Sequence, residues 1–382
     1  MRAECYLLAA YVAWLALAAA AFHLLPVLPA GNGLSPERAA FFAVNLGTLT
    51  GFTFGFSGVA DLTGVGELLV IVHVLVCAWL VLSAAALGTA RLLGFKLHAP
   101  AVLWRVAFVL FASAAMGFAV GDLLLGLSAV SNLGLPAGGR VAAEAYAAPA
   151  FRFGVLLPAV AFGAVGVGLL DRTWAWRLAG VYAGGCLVAF LLLSAGGLAV
   201  GLPAWEAVRQ AQLAAVDLRS AGFGFVPPAE THRASLWLQQ AVMLLGGGVA
   251  GAGGGLRAEV VLVLLLGMAG VLRGRAVGRL FAPAALWAAA LLATVFVGVW
   301  LLLAFTAELP VARAVFVATS AACNVGASAD TVSLTGPGLW TLTGLMLAGR
   351  VGFLVLLAFY PAGGNEEHRG GRSVEGVTEA GS

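Results

Sequence analysis

Long apolar runs alternate along this chain with short polar connections. Stretches without a charged residue extend from Tyr6 to Pro36, Val106 to Gly121, Phe153 to Leu170, Leu178 to Trp205, Ala234 to Leu256 and Leu280 to Ala307. Two more runs carry isolated interruptions: Leu62 to Ala90 contains Glu67 and His73, and Thr331 to Tyr360 contains Arg350. A helix satisfies its own backbone in lipid and needs about 20 residues to cross, so the pattern predicts about eight full crossings. The first run could be taken for a signal peptide, but it is too long and lacks a small-x-small cleavage site, so it reads as a retained first helix.

Between these spans lie four shorter apolar segments, "AAFFAVNLGTLTGFTFG", "GDLLLGLSAVSNLGLPAG", "EAVRQAQLAAVDLRSAGFGFV" and "ELPVARAVFVATSAACNVGASAD". Each reads as a half-helix too short to cross, followed by a glycine: Gly51, Gly134, Gly222 and Gly326. The unit is helix, half-helix, glycine turn, helix, repeated four times in the same direction. It predicts an all-α membrane protein of four repeats around one pseudo-fourfold axis, at 1–90, 91–172, 173–279 and 280–361, with a disordered polar tail at 362–382.

Composition agrees with the pattern: 62% of residues are hydrophobic and 10% charged, against about 25% charged in soluble domains. The connections around Arg91, Lys96 and Arg105, around Arg172 and Arg177, and around Arg273, Arg275 and Arg279 are basic and short. By the positive-inside rule they face the cytoplasm, as do both termini. Cys5, Cys77, Cys186 and Cys323 form no CxxC pair, and the five histidines show no ligand spacing. The pattern therefore points to neither a disulfide framework nor a metal site, and no catalytic set is apparent.

One span is anomalous. Seven of the ten residues from Gly246 to Gly255 are glycine, although each costs a helix about 1 kcal/mol relative to alanine. Non-helical backbone at membrane depth is tolerated only where it is buried in protein or lines water. Four half-helices around an axis would present backbone carbonyls and partly negative C-terminal ends to a central path, an arrangement suited to a monovalent cation.

The segments "TLTGF" (48–52), "SAVSNLGL" (128–135), "DLRSAGFG" (217–224) and "TSAACNVGAS" (319–328), with "LMLAGRVGFLVLL" near the end, resemble the filter loops and last pore helix of the Trk/Ktr/HKT superfamily of potassium-transport subunits. The resemblance implies a potassium uptake pore whose filter is Leu49, Thr50 and Gly51; Asn132, Leu133 and Gly134; Ser220, Ala221 and Gly222; and Asn324, Val325 and Gly326. It also implies a gate made of Gly246, Gly247, Gly248, Gly251, Gly253, Gly254 and Gly255, with Arg350 as a positive barrier beside it. It further implies a homodimer in the inner membrane and a cytosolic nucleotide-binding regulatory ring. No cofactor or resident metal is implied, with K+ (or Na+) as the transported ion. The family's gate carries Ser, Thr and a following Lys, whereas this one is nearly all Gly and Ala, followed by Arg257 and Glu259.

The isolated charges have other readings. His73 and Glu67 suit interhelical hydrogen bonds better than a proton relay, and Arg219 suits a brace through Asp217 or Glu230. "GFSG" at 55–58 matches an intramembrane serine protease motif with Ser57 as nucleophile, but it sits in the wrong place, after the first span. Gly246, Gly248 and Gly251 satisfy GxGxxG without the strand and the acid that this fingerprint needs. A non-conducting relative and a secondary transporter with broken helices remain open alternatives, although the latter predicts inverted halves.

Overall fold

A computed structural model of the chain describes residues 2–29, 32–52, 62–93, 98–119, 172–218, 233–248, 251–276, 278–306, 309–327 and 334–360. These residues form helices and no strand. In chain order the helices are α1 (Ala3–Leu24), α2 (Pro36–Gly47), α3 (Gly64–Leu93), α4 (Ala99–Ala119), α5 (Arg172–Ala199) and α6 (Ala204–Asp217). They continue with α7 (Arg233–Leu244), α8 (Ala258–Leu272), α9 (Phe281–Phe305), α10 (Val311–Ala322) and α11 (Pro337–Phe359).

Five of them, α1, α3, α5, α9 and α11, contain stretches long and apolar enough to cross a membrane. The expectation of about eight crossings is therefore met only in part by the described residues. One reason is physical: the glycine segment splits the second span of the third repeat into α7 and α8, of 12 and 15 residues, and neither crosses alone. The Phe153–Leu170 run lies outside the described residues, as do the second pore loop, the third pore loop with Arg219, the GFSG stretch and the C-terminal tail.

The order of long helix, half-helix and long helix is visible in α1–α2–α3 and α9–α10–α11, and with a broken last helix in α5–α6–α7/α8. Both α2 and α10 have 12 residues. Proline at the first position of α2 fits there because its missing N–H has no intrahelical partner to lose. Pro310 occupies the cap position just before α10.

Helix α11 holds the repeats together, packing on α9 and α10 of its own repeat and on α1, α2 and α3 of the first. Half-helix α10 also touches α7 of the third repeat. The inner helices α3 and α11 bury 61% and 56% of their apolar windows, whereas α1 and α9 bury 22% and 17%. The exposed faces carry Trp104, Phe108 and Phe111 on α4, and Phe296 and Trp300 on α9. Faces of this kind belong against lipid tails.

Basic residues gather at one end. Glu4 and Arg91 form an ion pair at 2.7 Å, and Arg91 also donates to the Leu357 carbonyl. Arg2 donates to the Ala358 carbonyl at 3.2 Å, and Arg279 reaches the Leu92 carbonyl at 3.5 Å. The last carbonyls of α3 and α11, which have no partner within their helices, thus receive guanidinium donors. The half-helices α2 and α10 start from the opposite end, with Arg38 and Arg313 in their first turns.

His73 makes interhelical bonds, as expected. Its Nε2 lies 2.8 Å from the Ala43 carbonyl and its Nδ1 accepts from Trp14 Nε1 at 3.0 Å, which together assign the proton to Nε2. The ring is buried and joins α3 to α1 and α2. Replacing His73 with Leu would strand the Trp14 N–H, a cost of about 1–3 kcal/mol, and would remove the second bond to the Ala43 carbonyl. We expect a lower melting temperature in detergent for His73→Leu, and a smaller drop for His73→Gln, which can keep one of the two bonds.

Candidate ion path

Two of the four expected pore loops reach into the described residues, and the backbones of Thr48–Gly51 and Cys323–Gly326 match residue for residue. Helix α2 ends in Thr48 (φ −82°), and Leu49 then turns to φ 57°. Helix α10 ends in Cys323 (φ −86°), and Asn324 turns to φ 50°. Leu49 N–H donates to Leu46 O and Thr50 N–H to Asn45 O, at 3.1 and 3.0 Å. Asn324 N–H donates to Ala321 O and Val325 N–H to Ser320 O, at 3.0 and 2.9 Å. This is the Schellman closure of a helix C-terminus, with Leu49 and Asn324 in the left-handed position that glycine normally fills. Asparagine tolerates that conformation, whereas leucine accepts strain there, so the loop holds Leu49 in place by its closing bonds.

Two residues further on, Gly51 and Gly326 again take positive φ, 86° and 80°. Gly326 meets a second constraint, because a Cβ there would lie 2.0 Å from the Thr50 carbonyl oxygen. The two loops are therefore neighbours at Thr50 and Gly326. Asn324 Nδ2 ties them side to side, donating to Thr50 Oγ1 and to the Met346 carbonyl of α11, each at 3.0 Å. Asn45 clamps the exit of the first loop, donating to Phe52 O at 2.7 Å and accepting from Phe52 N–H at 2.8 Å. The expected filter residues Leu49, Thr50, Gly51, Asn324, Val325 and Gly326 thus come together. Asn132, Leu133, Gly134, Ser220, Ala221 and Gly222 lie outside the described residues.

The glycine segment leaves α7 after Leu244 and returns to α8 at Ala258. Its ends are pinned together: Gly246 N–H donates to Leu256 O and Leu256 N–H to Leu244 O, both at 2.8 Å, and Ala258 N–H to Gly247 O at 3.0 Å. The arms touch backbone to backbone, since a Cβ on Gly246 would lie 1.6 Å from Gly254 O. The same segment presses on the fourth pore loop, where a Cβ on Gly254 would lie 1.9 Å from the Cys323 carbonyl oxygen. Glycine is required here because another backbone occupies the space of its side chain.

Three side chains hold the segment from outside. Arg257 Nη1 donates to the carbonyls of Gly248 and Gly251, at 2.9 and 3.0 Å. Trp287 Nε1 on α9 donates to Gly255 O at 3.3 Å. Phe353 on α11 meets Trp287 edge to face at 5.2 Å and lies under the Arg257 guanidinium at 4.5 Å. Arg350, one turn before Phe353, is fully buried and donates Nε to Thr48 O at 2.9 Å. It therefore sits at the C-terminal end of α2. The two arginines are within electrostatic reach of each other, and Glu259 of Arg257.

The glycine segment and Arg350 stand out in the sequence, whereas Asn45, Arg257, Trp287 and Phe353 are brought to them only by the fold. For Arg257 a signal existed: a charge directly following the glycines inside a membrane run. The other three look like ordinary residues of apolar helices.

No protein-family model matches the chain, and none of the curated proteins matches it in sequence. In structure it is similar to the crystal structure of the potassium transporter TrkH from Vibrio parahaemolyticus, with TM-score 0.69 and 19% identity over 94% of this chain and 86% of that one. The two chains share one fold. The described helices are all-α and keep the expected order of long helix, half-helix and long helix.

On this scaffold the close approach at Gly254 can be tested. Alanine there overpacks against the Cys323 carbonyl, at a cost of about 1–3 kcal/mol. We expect Gly254→Ala to lower the melting temperature of the purified protein, and Gly64→Ala, which has open space around it, to leave it unchanged.

Proposed function

We propose that this chain is a potassium uptake subunit. The ion passes a filter of backbone carbonyls from four pore loops and is gated below by the glycine segment and Arg350. The observation that carries the reading is the meeting of two identically closed half-helix ends at Thr50 and Gly326. Such ends leave carbonyl oxygens without partners in their own helices, and carbonyls can replace the hydration shell of potassium. The name of Vibrio parahaemolyticus TrkH as a potassium transporter supports the same ion.

Thr50, Leu133, Ala221 and Val325 supply the filter carbonyls in this reading, from repeats at 1–90, 91–172, 173–279 and 280–361. The Arg350 guanidinium sets a positive charge below them that a cation must pass. The basic end formed by Arg2, Arg91 and Arg279 faces the cytoplasm of an inner membrane, with both termini on that side. The working unit is a homodimer regulated by a cytosolic nucleotide-binding ring.

Rescue of a bacterium lacking its own potassium uptake, on low potassium, tests the reading. The native chain restores growth, and Gly326→Ser shifts the Rb+/Na+ preference by about tenfold, equivalent to ~1.4 kcal/mol between the two ions. No growth despite membrane expression contradicts transport, and an unchanged preference in a growing variant contradicts the filter. A sodium preference in the native chain would reassign the ion.

A further inference from the structure

Resting on the reading of the glycine segment as a gate, we propose that Arg257 is its latch and acts as a tethered stand-in for the transported cation. The segment has no hydroxyl to offer an ion, only carbonyls. Two of these, Gly248 O and Gly251 O, converge on a single nitrogen, Arg257 Nη1, at 2.9 and 3.0 Å. Oxygens gathered around one positive centre are what a bare monovalent cation would recruit. Here the centre belongs to the protein and is covalently fixed at the start of α8.

The second half of the device is the contact with α11. The Arg257 guanidinium lies over the Phe353 ring, and Arg257 and Phe353 are both buried. A cation over an aromatic face gains most when desolvated. The same side chain therefore joins the segment to the helix that carries Arg350. While the latch is closed, two carbonyls are occupied and a positive charge stands beside the path. When Arg257 swings away, both oxygens are released and the charge leaves with it. One side-chain movement thus converts a site that repels a cation into one that can ligate it.

The test is hydrogen exchange on the purified full chain in nanodiscs, following peptides that cover 245–258, with peptides of α9 as the internal reference. In Arg257→Gln the segment should exchange about tenfold faster than in the native chain. Potassium chloride, but not choline chloride, should slow it again, because potassium takes the vacated carbonyls. Arg257→Lys, which keeps a tethered cation, should retain most of the protection. Phe353→Leu, which leaves the segment backbone untouched, should shift exchange in the same direction by less, and serves if Arg257→Gln does not fold. Native-like exchange in both Arg257→Gln and Phe353→Leu overturns the latch, and a response to potassium equal to that of choline overturns the stand-in role. Rb+ flux on the same samples separates the two claims: exchange as expected with no flux in any variant keeps the latch and removes conduction.

Discussion

A helix that stops inside a membrane protein leaves its last carbonyl oxygens without partners, and lipid offers none. The architecture of this chain follows from how those oxygens are satisfied. At α2 and α10 a Schellman closure settles the helix end and turns the chain through two left-handed residues, Leu49 and Gly51 in one loop, Asn324 and Gly326 in the other. At Thr48 the oxygen takes a guanidinium nitrogen from Arg350. At the C-terminal end of α11, Leu357 and Ala358 take donors from Arg91 and Arg2. Arg350 is buried and Arg91 half-buried where helix ends require them, and charge in a membrane interior is costly enough to need such partners.

The glycine segment obeys the same constraint in a tighter space. It lies against the fourth pore loop with no room for a Cβ at Gly246 or Gly254. Its carbonyls at Gly248, Gly251 and Gly255 are met by Arg257 and Trp287. A break in a helix is thus converted into a compact plug whose polar groups find side-chain partners from α8 and α9. Such a plug has few apolar contacts of its own to hold it, and segments that move in function are drawn from such regions.

Much of this was legible in the sequence, for identifiable reasons. The half-helices announced themselves because they are too short to cross and stop at a glycine, and the structure places α2, α6 and α10 on three of those segments. The break in the third repeat was legible because seven glycines in ten residues cannot hold a helix. What the sequence withheld were contacts between repeats. Nothing in "LVLL" or "ALWAAA" marks Phe353 and Trp287 as the walls of the plug, because an aromatic residue in an apolar helix faces lipid as readily as protein. Asn45 was hidden similarly, its clamp on Phe52 depending on a turn the chain had yet to make. The described residues meet the count of about eight spans only in part, and apolar length alone does not reveal that the span at Ala234–Leu256 is cut by its glycines.

The central claim, that carbonyls from the pore loops form a cation site above the glycine segment, is tested most directly by anomalous diffraction from crystals soaked in rubidium. The account predicts a rubidium peak on the axis between the loops, ligated by the Thr50 and Val325 carbonyl oxygens. A native crystal with ordered loops and no peak there, or with rubidium bound only outside the loops, would contradict it.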